Sequence, residues 1–338
     1  GLIGSAVVRE LNLQGRRDLI LVDHLGQSDK WHNLRSLLYA EYVEKDAFRS
    51  VMQSVCAQGR SAADVHAITP PGAITPAILE QIDTIIHLGA NSATTEKDAS
   101  HLIDNNYRYS IEVARLATVL NARLVYASSA ATYGDGSHGF VDRFDDYLDQ
   151  LRPLNAYGYS KHAFDLYMRD QFQGPAFAGL KYFNVYGPNE YHKGDMRSVV
   201  HKAFEQIESN GRLALFKSYR PDYQDGEQKR DFLYVADAAR MTVHLALQNR
   251  SARGLFNLGS GQAHTWLELA AAIFASMSRP VEVDFIEMPA ALRSKYQYYT
   301  CAPVESLRSA GFNATITPLN AAVEDYIRNY LLQEQPYA

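Results

Sequence analysis

The chain is nearly without cysteine: Cys56 and Cys301 are the only two among 338 residues. Two thiols so far apart make neither a disulfide scaffold nor a thiolate metal site. Their scarcity fits a reducing compartment, which sets the expectation of a cytoplasmic protein. No uninterrupted apolar run reaches the ~20 residues that cross a bilayer, and no leader peptide is visible at Gly1, where the chain opens inside a glycine motif. Neither sign of charge dominates. Lys and Arg number 33 against 38 Asp and Glu, a net charge of -5 with both signs interspersed. That leaves no basic stripe for nucleic acid and no polybasic tail for anionic lipid. The Asp residues between Asp135 and Asp149 read as a solvated rim rather than a metal site. Nucleic acid, membrane and metal are therefore set aside as partners. What remains is 46% hydrophobic, enough to bury a large core and form one enzyme-sized unit of two lobes.

Three polar stretches follow one another between Tyr126 and Pro188. They are Ser128-Ser129-Ala130-Ala131-Thr132-Tyr133-Gly134, then Tyr157-Gly158-Tyr159-Ser160-Lys161, then Tyr182-Phe183-Asn184-Val185-Tyr186-Gly187-Pro188. A strand ending in a hydroxyl-rich turn, a helix with Tyr and Lys one turn apart, and a strand ending in an Asn-bearing loop bring three polar groups to one sheet edge. Parallel sheets bind ligands at that edge. The Tyr-x-x-x-Lys spacing alone also fits a solvated helix face; Ser129 upstream makes it specific. The chemistry these groups suit is redox at a secondary alcohol. An ammonium near a phenol lowers its pKa from about 10, Lys161 shares the helix face of Tyr157, and a Ser129 hydroxyl can orient the alcohol for proton transfer.

Elsewhere the pattern alternates strand and helix. Gly1-Leu2-Ile3-Gly4 leads into a helical run closed near Gly15. Where a dinucleotide fold has a strand and a Gly-x-x-Gly-x-x-Gly loop, Gly1 and Gly4 read as the last two glycines, letting backbone approach pyrophosphate; a plain helix start is the local alternative. Leu19–Asp23 is an apolar run ending in a carboxylate at the distance expected for the acid that holds an adenosine ribose. Residues 57–80 read as a surface insertion. A buried strand, Ile82–His87, leads into the loop Leu88-Gly89-Ala90-Asn91-Ser92 and a long helix from about Lys97 to Leu120. Further strands are expected at 213–216, after Lys229 and at 254–259, and helices at 235–247, 265–275 and 319–332. Arg230 is a candidate for bidentate phosphate contact, since its planar fork matches phosphate oxygens; an Arg-Asp surface pair is the alternative. The fold class expected is α/β, a doubly wound parallel sheet with a smaller α+β lobe. The dinucleotide-binding domain is assigned to 1–183, 231–260 and about 297–312, and the substrate lobe to 184–230, 261–296 and 313–338.

The order Ser-Ser-Ala-Ala-Thr-Tyr-Gly, Tyr-x-x-x-Lys, Tyr-Phe-Asn-Val-Tyr-Gly-Pro resembles the extended short-chain dehydrogenase/reductase family of nucleotide-sugar epimerases and dehydratases. Glu190-Tyr191-His192-Lys193-Gly194-Asp195-Met196 is similar to a segment of its ADP-heptose 6-epimerase branch. The resemblance implies NADP as cofactor, with NAD the alternative. It implies cofactor contacts from Gly1, Leu2, Ile3, Gly4, Asp23, His24, Lys30, Lys45, Leu88 to Ser92, Asn105, Lys161, Val185 and Lys193. Here His24 replaces the family's usual Asn. Tyr157, Lys161, Ser129 and a second proton-transfer group, Lys193, are the implied catalytic residues. Substrate contacts are implied for Ser129, Asn184, Asp195, Lys202, Phe216, Lys217, Ser218, Tyr219, Arg230 and Tyr296. Asp195 and Lys202 depart from the small hydroxyl residue and the His of the pattern.

Related dehydratases carry an Asp-Glu pair after the central Thr, whereas the central turn here has apolar Ala130 and Ala131, so elimination lacks its acid. The expected activity is inversion at C6 of ADP-glycero-manno-heptose through a 6-keto sugar, serving lipopolysaccharide inner-core synthesis, in a homo-oligomer that the family pattern makes a pentamer. The rivals are a C4 epimerase using Tyr157 alone and a cofactor-binding protein without turnover. The second has no need of Ser129, Tyr157 and Lys161 together.

Overall fold

The structure, a computed structural model, describes residues 1–57, 74, 76–293 and 296–338. Its centre is a parallel four-stranded ladder in the order β3-β4-β5-β9, formed by Thr84–His87, Arg123–Ser129, Phe177–Tyr182 and Gly254–Leu258. Leu124, Val125, Phe177, Ala178 and Leu180 are completely buried, as expected of strands covered by helices on both faces. Register pairs Ser129 with Tyr182 and Lys181 with Asn257, so the polar ends of the strands come out level. A second parallel pair, β1 (Ile20–Asp23) and β2 (Glu41–Glu44), is not hydrogen-bonded to this ladder. The first helix, Leu2–Leu13, bridges the two: Val7 and Leu11 join a cluster that takes in Leu19 beside β1 and Ile86 of β3. The doubly wound α/β architecture is thus built from two ladders rather than one continuous sheet.

Strand β6 (Asn184–Tyr186) pairs in parallel with β8 (Lys229–Tyr234), which pairs antiparallel with β10 (Ala263–Thr265). A further parallel pair joins β7 (Leu213–Phe216) to β11 (Val283–Ile286). Ile207, Leu213, Phe232, Ile273, Phe274, Val323 and Tyr326 form the apolar core of this second region.

The long helix expected from Lys97 begins at Ala99 and is interrupted: Ala99–Leu102 and Tyr109–Leu120 flank a π-helical stretch, Ile103–Arg108. Such stretches insert an extra residue per turn and often mark functional sites. Here the stretch carries Asn105 and Asn106. The expected insertion at 57–80 lies largely outside the described residues. Among the described residues no helix is long and apolar enough to cross a membrane, and no cluster of His, Cys, Asp or Glu could hold a metal ion.

Candidate active site

Ser129 ends β4 and caps a 3-10 turn, Ala130–Tyr133, its Oγ accepting from the Ala131 amide at 3.1 Å. The turn closes at Gly134, whose φ of 68° suits glycine and whose α-carbon faces the Arg152 carbonyl so closely that a Cβ has no room. The helix Ala156–Asp170 is started by Asn155, whose side chain accepts from the Gly158 amide at 2.8 Å. Gly158 explains the small residue between the two tyrosines: a Cβ there would stand 2.7 Å from the Ala131 carbonyl oxygen. The helix can therefore lie directly on the Ser129 turn, which brings the Tyr157 phenol and the Ser129 hydroxyl together.

Charge in this corner is set by burial. Burial pushes the Tyr157 phenol above its ordinary value, and the Ser129 hydroxyl partly offsets this. Lys161 is 4% exposed and donates to the Ala127 carbonyl at 2.9 Å. Burial lowers its pKa to about 8, against a raising influence from Asp165. The expectation that Lys161 depresses the tyrosine is therefore corrected. The ammonium is spent on a backbone carbonyl, desolvation outweighs the favourable hydroxyl, and Tyr157 is a neutral phenol poised to donate.

Behind Ser129 lies a polar network that the sequence reading missed. Lys181 and Asp165, with side chains fully buried, form an ion pair at 2.9 Å. Lys181 also donates to Thr132 Oγ1 at 2.6 Å, and its ammonium sits 4.6 Å from the centre of the Tyr133 ring. Asp165 accepts from Ser128 at 2.7 Å and Tyr126 at 3.0 Å, and the Thr132 hydroxyl donates to the Ser129 carbonyl at 2.8 Å. The paired serines divide the labour: Ser128 faces the network and Ser129 faces Tyr157. Period-2 alternation in a strand was the available signal.

Across the Tyr157 helix, Asn106 is completely buried and donates both to the Asn91 carbonyl, at 2.9 Å, and to Ser160 Oγ, at 3.0 Å, while accepting from the Asn91 amide at 2.8 Å. It clamps the Leu88–Ser92 loop to the Tyr157 helix. Asn105, the residue singled out from sequence, donates to Asn106 at 3.2 Å and accepts from Lys45 at 3.1 Å. His87, half-buried beside Lys161, bonds Ser110 at 2.8 Å; desolvation and that lysine push it down to about 3, so it is neutral.

Asp23 receives Lys30 at 2.6 Å, and the Gly1 nitrogen lies 3.4 Å from its other oxygen. His24 pairs with Glu44 at 2.7 Å. Lys30, His24 and Lys45 thus converge on the adjacent ends of β1 and β2. A Cβ on Gly4 would have no atom within 4 Å, and the buried Asn33 Oδ1 has no hydrogen-bond partner. Open glycine backbone, cationic neighbours and an orphaned acceptor fit a dinucleotide.

Lys193 stands apart from the Ser129–Tyr157–Lys161 trio. It lies in the turn Tyr191–Met196 after β6, which touches the other wall through Thr95 and Met196, 3.9 Å apart. Burial lowers its pKa, with Glu190 acting in the opposite direction, and its ammonium makes no hydrogen bond or ion pair among the described residues. Val185, on β6, packs against two of the apolar clusters. Asn184 is exposed at the start of that strand. Lys202 donates to the carbonyl of exposed Asp195 at 3.2 Å.

In the second lobe Arg230 is buried, with its guanidinium over Tyr296 at 5.1 Å and Trp266 at 5.8 Å, and it donates to the carbonyls of Lys229 and Gln297. Tyr296 accepts from the Trp266 indole at 2.9 Å. Phe216 ends β7, and Lys217 pairs with Glu287 at 2.8 Å. Ser218 donates to the Arg220 carbonyl at 3.1 Å, and the Tyr219 ring lies 3.7 Å beneath Arg293. The Tyr219 amide bonds the Tyr298 hydroxyl at 2.9 Å, joining this strand end to the Arg230–Tyr296 group.

Residues 1–259 match the NAD dependent epimerase/dehydratase family. The chain belongs to that family. It is 45% identical over 337 residues to a protein of Nitratidesulfovibrio vulgaris strain DP4 named ADP-L-glycero-D-manno-heptose-6-epimerase, covering 100% of this chain and 97% of that one. A Fusobacterium nucleatum protein of the same name is 39% identical over 345 residues, with 100% and 97% covered. Among solved structures, the Helicobacter pylori ADP-L-glycero-D-manno-heptose-6-epimerase superposes with a TM-score of 0.71 at 22% identity, covering 97% of this chain and 93% of that one. UDP-N-acetylglucosamine 4-epimerase from Methanobrevibacter ruminantium M1 gives 0.75 at 18% identity, with 97% and 94% covered. At such identities the structural likeness carries the fold alone. The full-length relatives make this nucleotide-sugar family member an epimerase, hence an isomerase, dependent on NAD-type cofactor chemistry.

Proposed function

We propose that the protein inverts C6 of ADP-glycero-manno-heptose with a tightly held NADP, in the cytoplasm and as a homo-oligomer, supplying the inner core of lipopolysaccharide. The observation that carries this is full-length identity of 45% with a chain named for that activity. A dinucleotide held at Gly1–Gly4 and Asp23 would supply the hydride acceptor and donor for oxidation and re-reduction at C6 of the sugar. The chain's own groups handle the proton at the sugar oxygen. Ser129 orients that oxygen; Tyr157 exchanges the proton on one face, and Lys193, from the turn after β6, exchanges it on the other. Burial lowers the Lys193 pKa, the direction that favours such exchange. Arg230, stacked on Tyr296 and Trp266, would bind the nucleotide diphosphate.

Incubation of ADP-heptose with the enzyme in deuterated water is expected to interconvert the C6 epimers with no deuterium at carbon, because the hydride never leaves the site. Label in the product would replace the hydride route with carbanion chemistry, and a C4 epimer would move the reaction to another carbon. Lys193→Ala and Tyr157→Phe, loaded with NADPH as the hydride donor and given the 6-keto sugar, should each yield one epimer, and opposite ones. The same epimer from both would end the two-sided assignment.

NADP rather than NAD is supported by Lys30 and Lys45 at the ends of β1 and β2. Lys45→Ala should weaken NADP binding by roughly 10- to 100-fold, the worth of a charge-assisted phosphate contact, and leave NAD nearly unchanged. Titration of both dinucleotides decides this, and equal loss for both would remove the 2'-phosphate assignment.

A further inference from the structure

His192 precedes Lys193 on the substrate-lobe side of the cleft, yet its ring reaches back to the first glycine. A Cβ on Gly1 would lie 3.9 Å from His192 Nε2 and 3.8 Å from Lys30 Cε. The other ring nitrogen, Nδ1, is 3.3 Å from Asn33 Nδ2. That amide nitrogen also donates to the Asn189 carbonyl at 2.9 Å. A carbonyl only accepts, so the atom between the two is a nitrogen donor, and its second hydrogen faces the ring. His192 Nδ1 is thereby the acceptor, and the neutral ring carries its proton on Nε2. Burial and the nearby cations, Lys30 and Lys193 among them, push the ring down to about 4, so it is neutral at physiological pH.

The Nε2–H therefore points toward the start of the Leu2–Leu13 helix without a hydrogen-bond partner among the described residues. Two kinds of donor meet there, this N–H and the first-turn amides of the helix, while the Lys30 stem packs alongside with its ammonium held by Asp23. Asn33 is 1% exposed, so the amide that faces the ring is held in place. We propose that His192 Nε2–H is a hydrogen-bond donor to the diphosphate of the dinucleotide, with Asn33 as the positioning residue that fixes its tautomer. The inference rests on the reading that Gly1–Gly4 holds that diphosphate. Its consequence is mechanical: the residue next to Lys193 is anchored on the cofactor, so the bound dinucleotide itself places the second proton-transfer group.

The test titrates protein stripped of bound nucleotide with NADPH and, separately, with adenosine 2'-phosphate, which has no diphosphate. His192→Phe should weaken NADPH by roughly 10- to 100-fold and leave adenosine 2'-phosphate within about twofold. Asn33→Asp puts an acceptor where the donor was, so it should move the ring proton to Nδ1 and weaken NADPH similarly. Nitrogen-15 NMR of the imidazole should show the Nε2–H tautomer in the wild type and the Nδ1–H tautomer in Asn33→Asp. Unchanged NADPH affinity in His192→Phe, equal weakening of both probes, or an Nδ1–H tautomer in the wild type would overturn the proposal while leaving the cofactor reading intact. Wild-type protein that bound neither NADPH nor NADH would overturn that reading, and the proposal with it.

Discussion

Replacing Tyr157 by Phe should lower turnover by roughly 100-fold or more while dinucleotide affinity stays within about twofold, because the substitution removes a single hydroxyl and keeps the packed ring. The phenol meets the Ser129 hydroxyl, and burial holds it protonated, ready to supply the proton. Lys161→Met should behave differently. The ammonium is anchored on the Ala127 carbonyl and lies beside His87; with Lys161 contributing to the proposed cofactor site, both turnover and dinucleotide affinity should fall. Steady-state kinetics with parallel binding titrations separates the two patterns. Near-normal turnover in Tyr157→Phe would place the proton transfer elsewhere.

Breaking the Lys181–Asp165 pair should be the most destabilising single change in the catalytic half. Both side chains are fully buried, so Lys181→Met leaves a carboxylate in the interior with no counter-charge, only the Ser128 and Tyr126 hydroxyls, a loss of about 3–5 kcal/mol. Asp165→Asn leaves the ammonium likewise unpaired. The double variant Lys181→Met/Asp165→Asn strands no charge and should cost clearly less than the sum of the singles, a coupling readable by denaturant unfolding. Additive losses would show that the pair is not a unit. Thr132 links Lys181 to the Ser129 carbonyl, so the singles should also lose activity beyond what their folded fraction explains, since the Ser129 turn loses its support.

Much of this site was open to reading along the chain. The Ser129 turn, the Tyr157–Lys161 spacing, Asp23 after an apolar run and the glycine entry to the first helix are local patterns, and the folded chain brings Ser129, Tyr157 and Lys161 to one corner. Helix ends and strands fell close to their expected places because periodicity and caps act over a few residues. The misses share another character. Asn106 was passed over for its neighbour Asn105, since only the π-helical stretch decides which of two adjacent amides turns inward. Lys181 reads as one more residue of an apolar strand until Asp165, a helix away in sequence, closes on it.

What the sequence determined by itself is the set of chemical groups, their order and the α/β frame, because these follow from residue type and short-range spacing. Tertiary structure alone decided their charge states and partners. Tyr157 is raised rather than lowered, Lys161 falls to about 8, and His192 presents Nε2–H only because Asn33, far off in the chain, offers it a donor. Desolvation and hydrogen-bond direction depend on what surrounds a group in space, and the linear order of residues does not contain that.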